Sequence, residues 1–517
     1  MIKMNIKKKI STNEGSLHQK TIKGSFWSFT TRISTLALDI IQLVIVARLL
    51  NPKDYGLLGI ALLTQTIFLV FTETGFQESI IQKKKKNIEE YLNTAWTTLI
   101  IRGLLIYTII FFAAPYIAIF FNEPRAAIII QVIGLSLVMS SLNNIAVTLL
   151  RKELEFNKTF ILNLGRVLPS FIMTVALAFI LRNVWALVGG VIMGSIGSLY
   201  ISYLVHPYRP KIEFDRQKAS EMLGFGKWIF GITILVFIGS QGDDLMVGRI
   251  VGVAALGLYQ MAYRIAQAPL KEFIYNINTV LFSTFSKVQD YTSILKSGYL
   301  KVTTFSLAIA FPVTIGLAII GREFTIVFLG EKWMAVIPIL SILAMAALVK
   351  SFISTSTPIF KSVGKPRYEF EKQLVRASTI IILIVPLTQK FGIIGTSYTV
   401  LISCLLALIV WYKRITQVID VKLKELWRII APPLIGSIAM AGSLLGVKKI
   451  IDLVSIEPLI LKFLGFLLLC LIGTGVYFLI LLIFQKYTKN YKNLGIILRM
   501  FKERKKKKNN ILEKTAN

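Results

Sequence analysis

The chain has 517 residues, of which 55% are hydrophobic, and its mean hydropathy of +0.67 is too high for a soluble protein of this length. Its formal net charge is +32. Two cysteines and two histidines are too few for a disulfide framework or a zinc site. The chain has no GxxxxGK[ST] loop, which excludes P-loop nucleotide binding. The composition therefore predicts a polytopic membrane protein that is not an enzyme and needs no cofactor.

A basic tail at residues 1–24 precedes a series of apolar runs, most of them close to the roughly 20 helical residues that cross a bilayer core. The first run is too long for the core of a signal peptide, so we expect it to remain as a membrane anchor. The pattern predicts an all-α fold with about fourteen transmembrane helices. The predicted spans are residues 26–49, 56–76, 95–120, 126–150, 160–181, 184–205, 227–250, 254–284, 300–321, 335–359, 374–389, 391–412, 430–450 and 458–484.

Loops rich in lysine and arginine alternate with loops that contain few of these residues. Loops after even-numbered spans are basic, as in the run Lys83–Lys86, whereas the opposite loops are short and poor in basic residues apart from Lys448 and Lys449. The positive-inside rule then predicts that both termini lie in the cytoplasm. The net charge is thus a topological signal with some attraction to anionic headgroups, and we expect membrane lipids rather than nucleic acid as partners.

The first span carries a polar stripe. Ser28, Arg32, Thr35, Asp39 and Gln42 recur at helical spacing and so share one face. A charge at mid-bilayer costs at least about 2.5–3.5 kcal/mol, so lipid would not tolerate this face. The stripe therefore predicts a helix bundle with a polar interior.

The same region recurs 201 residues later without a gap. Arg48 aligns with Arg249 and Gly56 aligns with Gly257. Many transporters are built from parallel repeats with the substrate site between the halves. The predicted organisation is a basic tail at 1–24, a six-helix lobe at 25–215, a second six-helix lobe at 216–420, two further helices at 421–485 and a basic tail at 486–517.

Other spans also carry polar residues. In the eighth span Gln260, Arg264, Gln267 and Lys271 share a face, and further intramembrane arginines occur in the third and fifth spans. Basic side chains outnumber acidic ones at similar depth, so the interior suits an anionic substrate, and arginine binds phosphate bidentately. The predicted cavity-lining, substrate-binding residues are Arg32, Arg264, Arg166, Arg102, Lys271, Gln260 and Gln267.

Carboxylates in the spans leave two readings open. Asp39, Asp243 and Asp244 are candidates for ion coupling, but Asp243 and Asp244 could equally pair with a neighbouring arginine or cap an outer helix end. Structural roles are open for some of the arginines as well. Arg102 could be buried against Glu73 or Glu78, and Arg48 and Arg249 could reach the headgroups.

The sequence resembles the polysaccharide-exporter branch of the multidrug/oligosaccharidyl-lipid/polysaccharide exporter superfamily, the Wzx-type flippases of lipid-linked repeat units. Four stretches carry the resemblance, and it covers roughly residues 20–420. They are GSFWSF at Gly24–Phe29, VARLLNPKDYGLLGIA at Val46–Ala61, TGFQESIIQ at Thr74–Gln82 and GDDLMVGRIVGVAALGLYQMAYRIAQAP at Gly242–Pro269.

The resemblance implies fourteen helices, arranged as two six-helix lobes around a central cavity with two helices added at the end. It also implies a bacterial cytoplasmic membrane protein that moves undecaprenyl-diphosphate-linked oligosaccharide to the outer leaflet by alternating access, with a polysaccharide polymerase as a partner. The product would be a surface polysaccharide such as O-antigen, exopolysaccharide, capsule or a teichuronic-type polymer.

Two alternative functions remain open. A cation-coupled multidrug antiporter requires an essential carboxylate such as Asp39, which has no acidic neighbour on its span. A lipid II flippase would serve the cell wall generally, so that its loss would be lethal rather than removing one polymer. A membrane scaffold without transport would explain neither the polar stripes nor the repeat.

The loop charges generate a topological prediction. Single cysteines at Lys84 and Asn510 should resist a membrane-impermeant thiol reagent in intact cells, because both positions are predicted to be cytoplasmic. A cysteine at Lys53, in a predicted outer turn, should react. Labelling of the cysteine at position 84 would contradict the predicted topology.

Overall fold

The computed structural model describes residues 27, 30–71, 89–152, 155–216, 226–453 and 458–487. The predicted tail at 1–24 and nearly all of the tail at 486–517 lie outside these ranges. In the described part of the chain all regular structure is helical and no strand occurs, which confirms the predicted all-α membrane fold.

The longer helices follow one another with short connections. They are α1 (30–49), α2 (Pro52–Phe71), α3 (Glu89–Phe120), α4 (Ala126–Ser141), α5 (Phe156–Leu181), α6 (Val184–Val205), α7 (Gly226–Met246), α8 (Val253–Ser286), α9 (Thr292–Phe324), α10 (Ile337–Ser354), α11 (Pro366–Ile419), α12 (Leu423–Leu453) and α13 (Leu459–Tyr487).

Each predicted span falls wholly or mostly on one of these helices, and α11 contains two of them. Within the described ranges, nine helical stretches are long and apolar enough to cross a membrane. The helix α4, with 16 residues, is shorter than a full crossing. The exact number of fourteen crossings therefore stays a prediction.

The 54-residue helix α11 is interrupted at Gly392. A straight helix of this length would measure about 80 Å, far more than the roughly 30 Å bilayer core. Gly392 has φ 58° and ψ −141°, a conformation open essentially to glycine alone, and it reverses the chain. The two halves, 366–391 and 393–419, are held together by an ion pair of 2.6 Å between Glu371 and Arg414.

Two features close this hairpin tightly. The hydroxyl groups of Thr388 and Thr396 hydrogen-bond at 2.8 Å across the bend. A Cβ atom at Gly395 would overlap the carbonyl oxygen of Leu387. Two membrane crossings thus fit into one nearly continuous helix, because glycine at 392 allows the turn and glycine at 395 allows the approach.

The chain divides into two compact units, Met1–Gly257 and Leu258–Asn517. This division groups α7 with the first unit. The predicted lobes at 25–215 and 216–420 were defined by the repeat, and they stay a prediction.

In the first unit the helices α5 and α6 pack closely through small residues. A Cβ atom at Gly190 would overlap the Thr174 hydroxyl, and one at Gly194 would lie 3.0 Å from the Arg166 carbonyl oxygen. In the absence of a hydrophobic driving force between helices in lipid, such close contacts are a main source of association.

In the second unit the core joins α8, α9, α10, α11 and the start of α12. Phe352 packs against the buried Trp411 in a tilted arrangement, with ring centroids 4.6 Å apart. The two last helices pack on α9, where the Tyr477 hydroxyl donates to the Ala308 carbonyl at 2.7 Å and Lys448 pairs with Glu323 at 2.7 Å. Thus α12 and α13 belong to the packing of this unit.

The bend of α11 generates a stability prediction. Gly392→Ala should destabilise the protein by about 1–3 kcal/mol, because alanine rarely adopts this backbone conformation. Thermal unfolding of the purified protein in detergent measures the effect.

Gly442→Ala is the matched control in α12, where a Cβ atom would meet no described atom within 4 Å. This change should leave the unfolding temperature unchanged or raise it, because alanine favours a helix interior. Equal loss in both variants would contradict the role assigned to Gly392.

Candidate functional site

The polar residues on one face of α1 are only partly buried against other residues. Arg32 is half-buried, and its carbonyl accepts a hydrogen bond of 3.1 Å from the Thr35 hydroxyl. Asp39 is exposed, and it lies about 10.5 Å further along the helix axis, too far to pair with Arg32. The two charges therefore act separately on the same face.

Two other predicted arginines of the first unit behave differently. The Arg102 guanidinium donates to the Leu69 carbonyl at 3.3 Å, close to the end of α2, where backbone carbonyls lack helical partners. Arg166 on α5 is exposed, and it makes no hydrogen bond or ion pair with any residue in the described ranges. Arg102 thus links α3 to α2, while its predicted acidic partners, Glu73 and Glu78, lie outside the described residues. The substrate role of Arg166 stays a prediction.

Asp243 and Asp244 lie at the end of α7 and are 3% and 9% exposed. The backbone N–H of Asp244 donates to the Asp243 carboxylate at 3.1 Å. Buried carboxylates need compensating partners, and both residues have further interactions in the structure. Ion coupling by these residues and by Asp39 stays a prediction.

The polar residues on one face of α8 differ in their burial. Gln267 is buried and accepts a hydrogen bond of 3.2 Å from Lys350 of α10, so it links two helices. Gln260 is half-buried, and Arg264 is exposed without an ion pair to any residue that the structure describes. The side chain of Lys271 lies outside the described part of the chain.

A buried polar cluster at the start of α11 was missed by the sequence pattern. We call it the Glu369 cluster, and its members are Thr357, Glu369, Lys372, Gln373 and Arg376. Lys372 is 2% exposed and pairs with Glu369 at 2.6 Å, which also accepts from Thr357 and Gln373. Arg376 is 6% exposed and donates to Gln373 at 3.1 Å.

Lys372 lies between the predicted spans 335–359 and 374–389, where the positive-inside rule predicts a loop lysine that sets the topology. The structure places it inside a helix, buried, with its charge compensated three residues earlier. The spacing of Glu369 and Lys372 was the available signal, since residues three apart are neighbours on a helix. The Lys372 charge is compensated within this cluster, whereas Arg264 is exposed and has no ion pair with any described residue.

A polar cluster joins the α1–α2 turn to the α3–α4 turn. Glu123 pairs with Arg125 at 2.8 Å and with Lys53 at 3.0 Å. The hydrogen bond from Arg125 is the largest influence on the Glu123 carboxyl and, with Lys53, it lowers the pKa despite burial. Arg249, just after α7, donates to the Phe120 carbonyl at 2.7 Å and lies over the Phe120 ring.

The aligned glycines of the repeat contact each other's segments reciprocally. A Cβ atom at Gly56 would overlap the carbonyl oxygen of Val253, and one at Gly257 would overlap that of Pro52. Val253 is also 201 residues after Pro52, so the contact has the two-fold form of a symmetric interface. The starts of α2 and α8 therefore touch backbone to backbone, beside a polar cavity of about 380 Å³ lined by Lys53, Glu123 and Arg249.

Known proteins resemble this chain over most of its length. A family profile described as "Polysaccharide biosynthesis protein" matches residues 45–338. The lipopolysaccharide biosynthesis protein WzxC of Escherichia coli strain K12 is 28% identical over 384 residues, which are 74% of this chain and 78% of that protein. The teichuronic acid biosynthesis protein TuaB of Bacillus subtilis strain 168 is 25% identical over 366 residues, covering 69% and 74%.

A solved structure of the lipid II flippase MurJ, in an inward closed conformation, has the same fold. It matches with a TM-score of 0.71 at 18% sequence identity, covering 90% of this chain and 99% of that chain.

The glycine contact generates a prediction. Gly257→Ala should separate the starts of α2 and α8, because the Pro52 carbonyl belongs to the backbone and cannot move alone. A cysteine at Ala254 should then react faster with an impermeant thiol reagent in intact cells.

Gly239→Ala in α7 is the control, since a Cβ atom there would meet no described atom within 4 Å. Unchanged labelling in Gly257→Ala would show that this contact does not limit access from the outer side.

Proposed function

Because the chain belongs to the polysaccharide biosynthesis protein family, we propose that it is a flippase for lipid-linked oligosaccharide repeat units. It moves the repeat unit, attached to undecaprenyl diphosphate, from the cytoplasmic to the outer leaflet of the cytoplasmic membrane. Both termini lie in the cytoplasm, and a polysaccharide polymerase uses the flipped product. The names of WzxC and TuaB, which refer to lipopolysaccharide and teichuronic acid biosynthesis, support a surface polymer as the product.

The exposed arginines of the spanning helices carry this proposal. Arg166 and Arg264 lie within apolar helices and are not neutralised by an acid in the described residues. Lipid contact would cost each charge at least about 2.5–3.5 kcal/mol, so each faces a polar pathway. A diphosphate brings about two negative charges, and cations placed along the pathway compensate for the water it loses.

The other predicted residues complete the pathway in this proposal. Arg32 acts with Arg166 and Arg264 on the diphosphate, with Arg102 and Lys271 adding to the positive field. Gln260 offers its amide group to sugar hydroxyls, while the buried Gln267 holds Lys350 beside the pathway. The polyprenyl tail stays in the bilayer, since its burial in a polar pathway would be unfavourable.

Alternating access is the transport mechanism we propose. The reciprocal contact of Gly56 and Gly257 separates when the protein opens outward, and the ion pairs of Glu123 beside it re-form when it closes. Such pairs are exposed on one side and worth little singly, so they can break and re-form readily. In this mechanism the close backbone contact between the starts of α2 and α8 closes the outer side of the transporter.

The two alternative functions make different demands. A cation-coupled drug antiporter needs an essential carboxylate, whereas Asp39 is exposed and lies on the same face as Arg32. Lipid II flipping would use the same cationic pathway, so the phenotype distinguishes it from the proposed function. Loss of one surface polymer supports the proposal, and general loss of cell-wall synthesis would favour lipid II.

Substitutions of the exposed arginines test the substrate role. Arg264→Ala and Arg166→Ala should lower polymer export about tenfold or more, because a charged hydrogen bond contributes roughly 1.5–3 kcal/mol. The lysine variants should lose less, since lysine keeps the charge but not the bidentate geometry. Export and the amount of protein in the membrane are measured together.

Arg322→Ala is the matched control. Arg322 is an exposed arginine in the last turn of α9, at a predicted outer helix end. Its loss should change neither export nor protein amount. Normal export by Arg264→Ala and Arg166→Ala at normal protein amount would refute the substrate role.

A further inference from the structure

A long apolar groove lies in the second unit where α11 and α12 meet. Its volume is about 700 Å³, and its floor is formed by Phe352, Trp411 and Ile430. Pockets of this size hold ligands with a substantial apolar part. Trp411 is 3% exposed, whereas Trp427 at the rim is 60% exposed, so the groove opens sideways from a packed core.

The groove lies where the predicted spans 391–412 and 430–450 meet their connecting loop. The lining residues of α11 lie within about eleven residues of its end at Ile419, and those of α12 lie within its first eight residues. At 1.5 Å per residue the innermost lining residue of α11 lies about 16 Å from the helix end, so the groove extends from the predicted loop to the membrane interface. Trp427 and Tyr412 are residue types that favour the membrane interface.

Two basic residues lie at the opening of the groove. Lys424 lines the groove, is exposed, and pairs with no acid in the described ranges. Arg428 is exposed one turn further along α12, so two positive charges are neighbours. The adjacent acid does not cancel them, because Glu425 is engaged by Lys296 at 2.7 Å and by the backbone N–H of Lys422 at 2.8 Å.

We propose that this groove binds an anionic glycerophospholipid, with an acyl chain against Trp411 and Ile430 and the phosphate at Lys424. Basic pockets between transmembrane helices on the cytoplasmic side are suited to anionic headgroups. The assignment to the cytoplasmic leaflet rests on the proposed orientation of the chain. Binding itself does not depend on the flippase function.

The lining of the groove favours a bulk phospholipid over the lipid carrier of the substrate. Lys424, which lines the groove, compensates the single negative charge of phosphatidylglycerol, whereas a diphosphate brings about two negative charges. The groove walls are almost wholly apolar, and no amide or hydroxyl group other than that of Tyr412 is available there for a glycan. The bound lipid thus fills a site next to the core ring pair of Phe352 and Trp411 and stabilises this part of the unit.

Native mass spectrometry of the purified full-length protein tests the proposal. Phosphatidylglycerol should be retained more tightly than phosphatidylcholine of the same chain length, and more tightly than its dihexanoyl form. Lys424→Ala should weaken phosphatidylglycerol binding about fivefold, and Leu423→Glu, at an exposed rim position, should weaken it further. Neither variant removes a core side chain, so both should fold.

Lys449→Ala is the control, because Lys449 is an exposed lysine near the opposite end of α12. Equal retention of both phospholipids, or equal weakening by Lys424→Ala and Lys449→Ala, would overturn the proposal. Displacement of phosphatidylglycerol by a polyprenyl diphosphate that binds more tightly at this groove would overturn it in favour of the lipid carrier. The assay involves no transport, so its failure is separate from failure of the proposed function.

Discussion

The structure depends on how charges are accommodated inside apolar helices. A charged group in lipid is expensive, so it must be paired, reach the headgroups or face a polar space. Lys372 follows the first route, since it is buried against Glu369 at 2.6 Å. Arg264 follows the last route, because it is exposed and has no acidic partner in the described ranges. This difference separates residues that hold the fold from residues that are proposed to bind the substrate.

Backbone contacts through glycine provide a second organising feature. Gly395 closes the α11 hairpin, and Gly190 closes the α5–α6 pair, so both stabilise a permanent structure. Gly56 and Gly257 are different, because repeat-related segments meet there in a reciprocal contact. This contact is made by small residues with ion pairs beside it, so few side chains interlock across it. It is thus suited to a surface that separates and re-forms during transport.

Positive charge serves three purposes in this chain. The loop lysines are predicted to orient the helices, the buried Lys372 stabilises the start of α11, and the exposed arginines are proposed to bind substrate. Local sequence does not distinguish these purposes, because each is a basic residue near an apolar run. Arg102 illustrates the point: its pattern predicts a cavity position, while its guanidinium donates to the Leu69 carbonyl at 3.3 Å.

The sequence by itself determined the helices and the repeat, because hydropathy and helical spacing are local properties of the chain. The predicted spans fall on helices, and the alignment of Gly56 with Gly257 is visible without a structure. Only the tertiary structure decided that these two glycines meet each other's segments, that Gly392 folds α11 back on itself, and that Lys372 is buried. The glycine contacts depend on residues that are distant in the chain, which no local pattern encodes. The ion pair of Lys372 with Glu369 is local, but the burial of Lys372 depends on the helices packed around it.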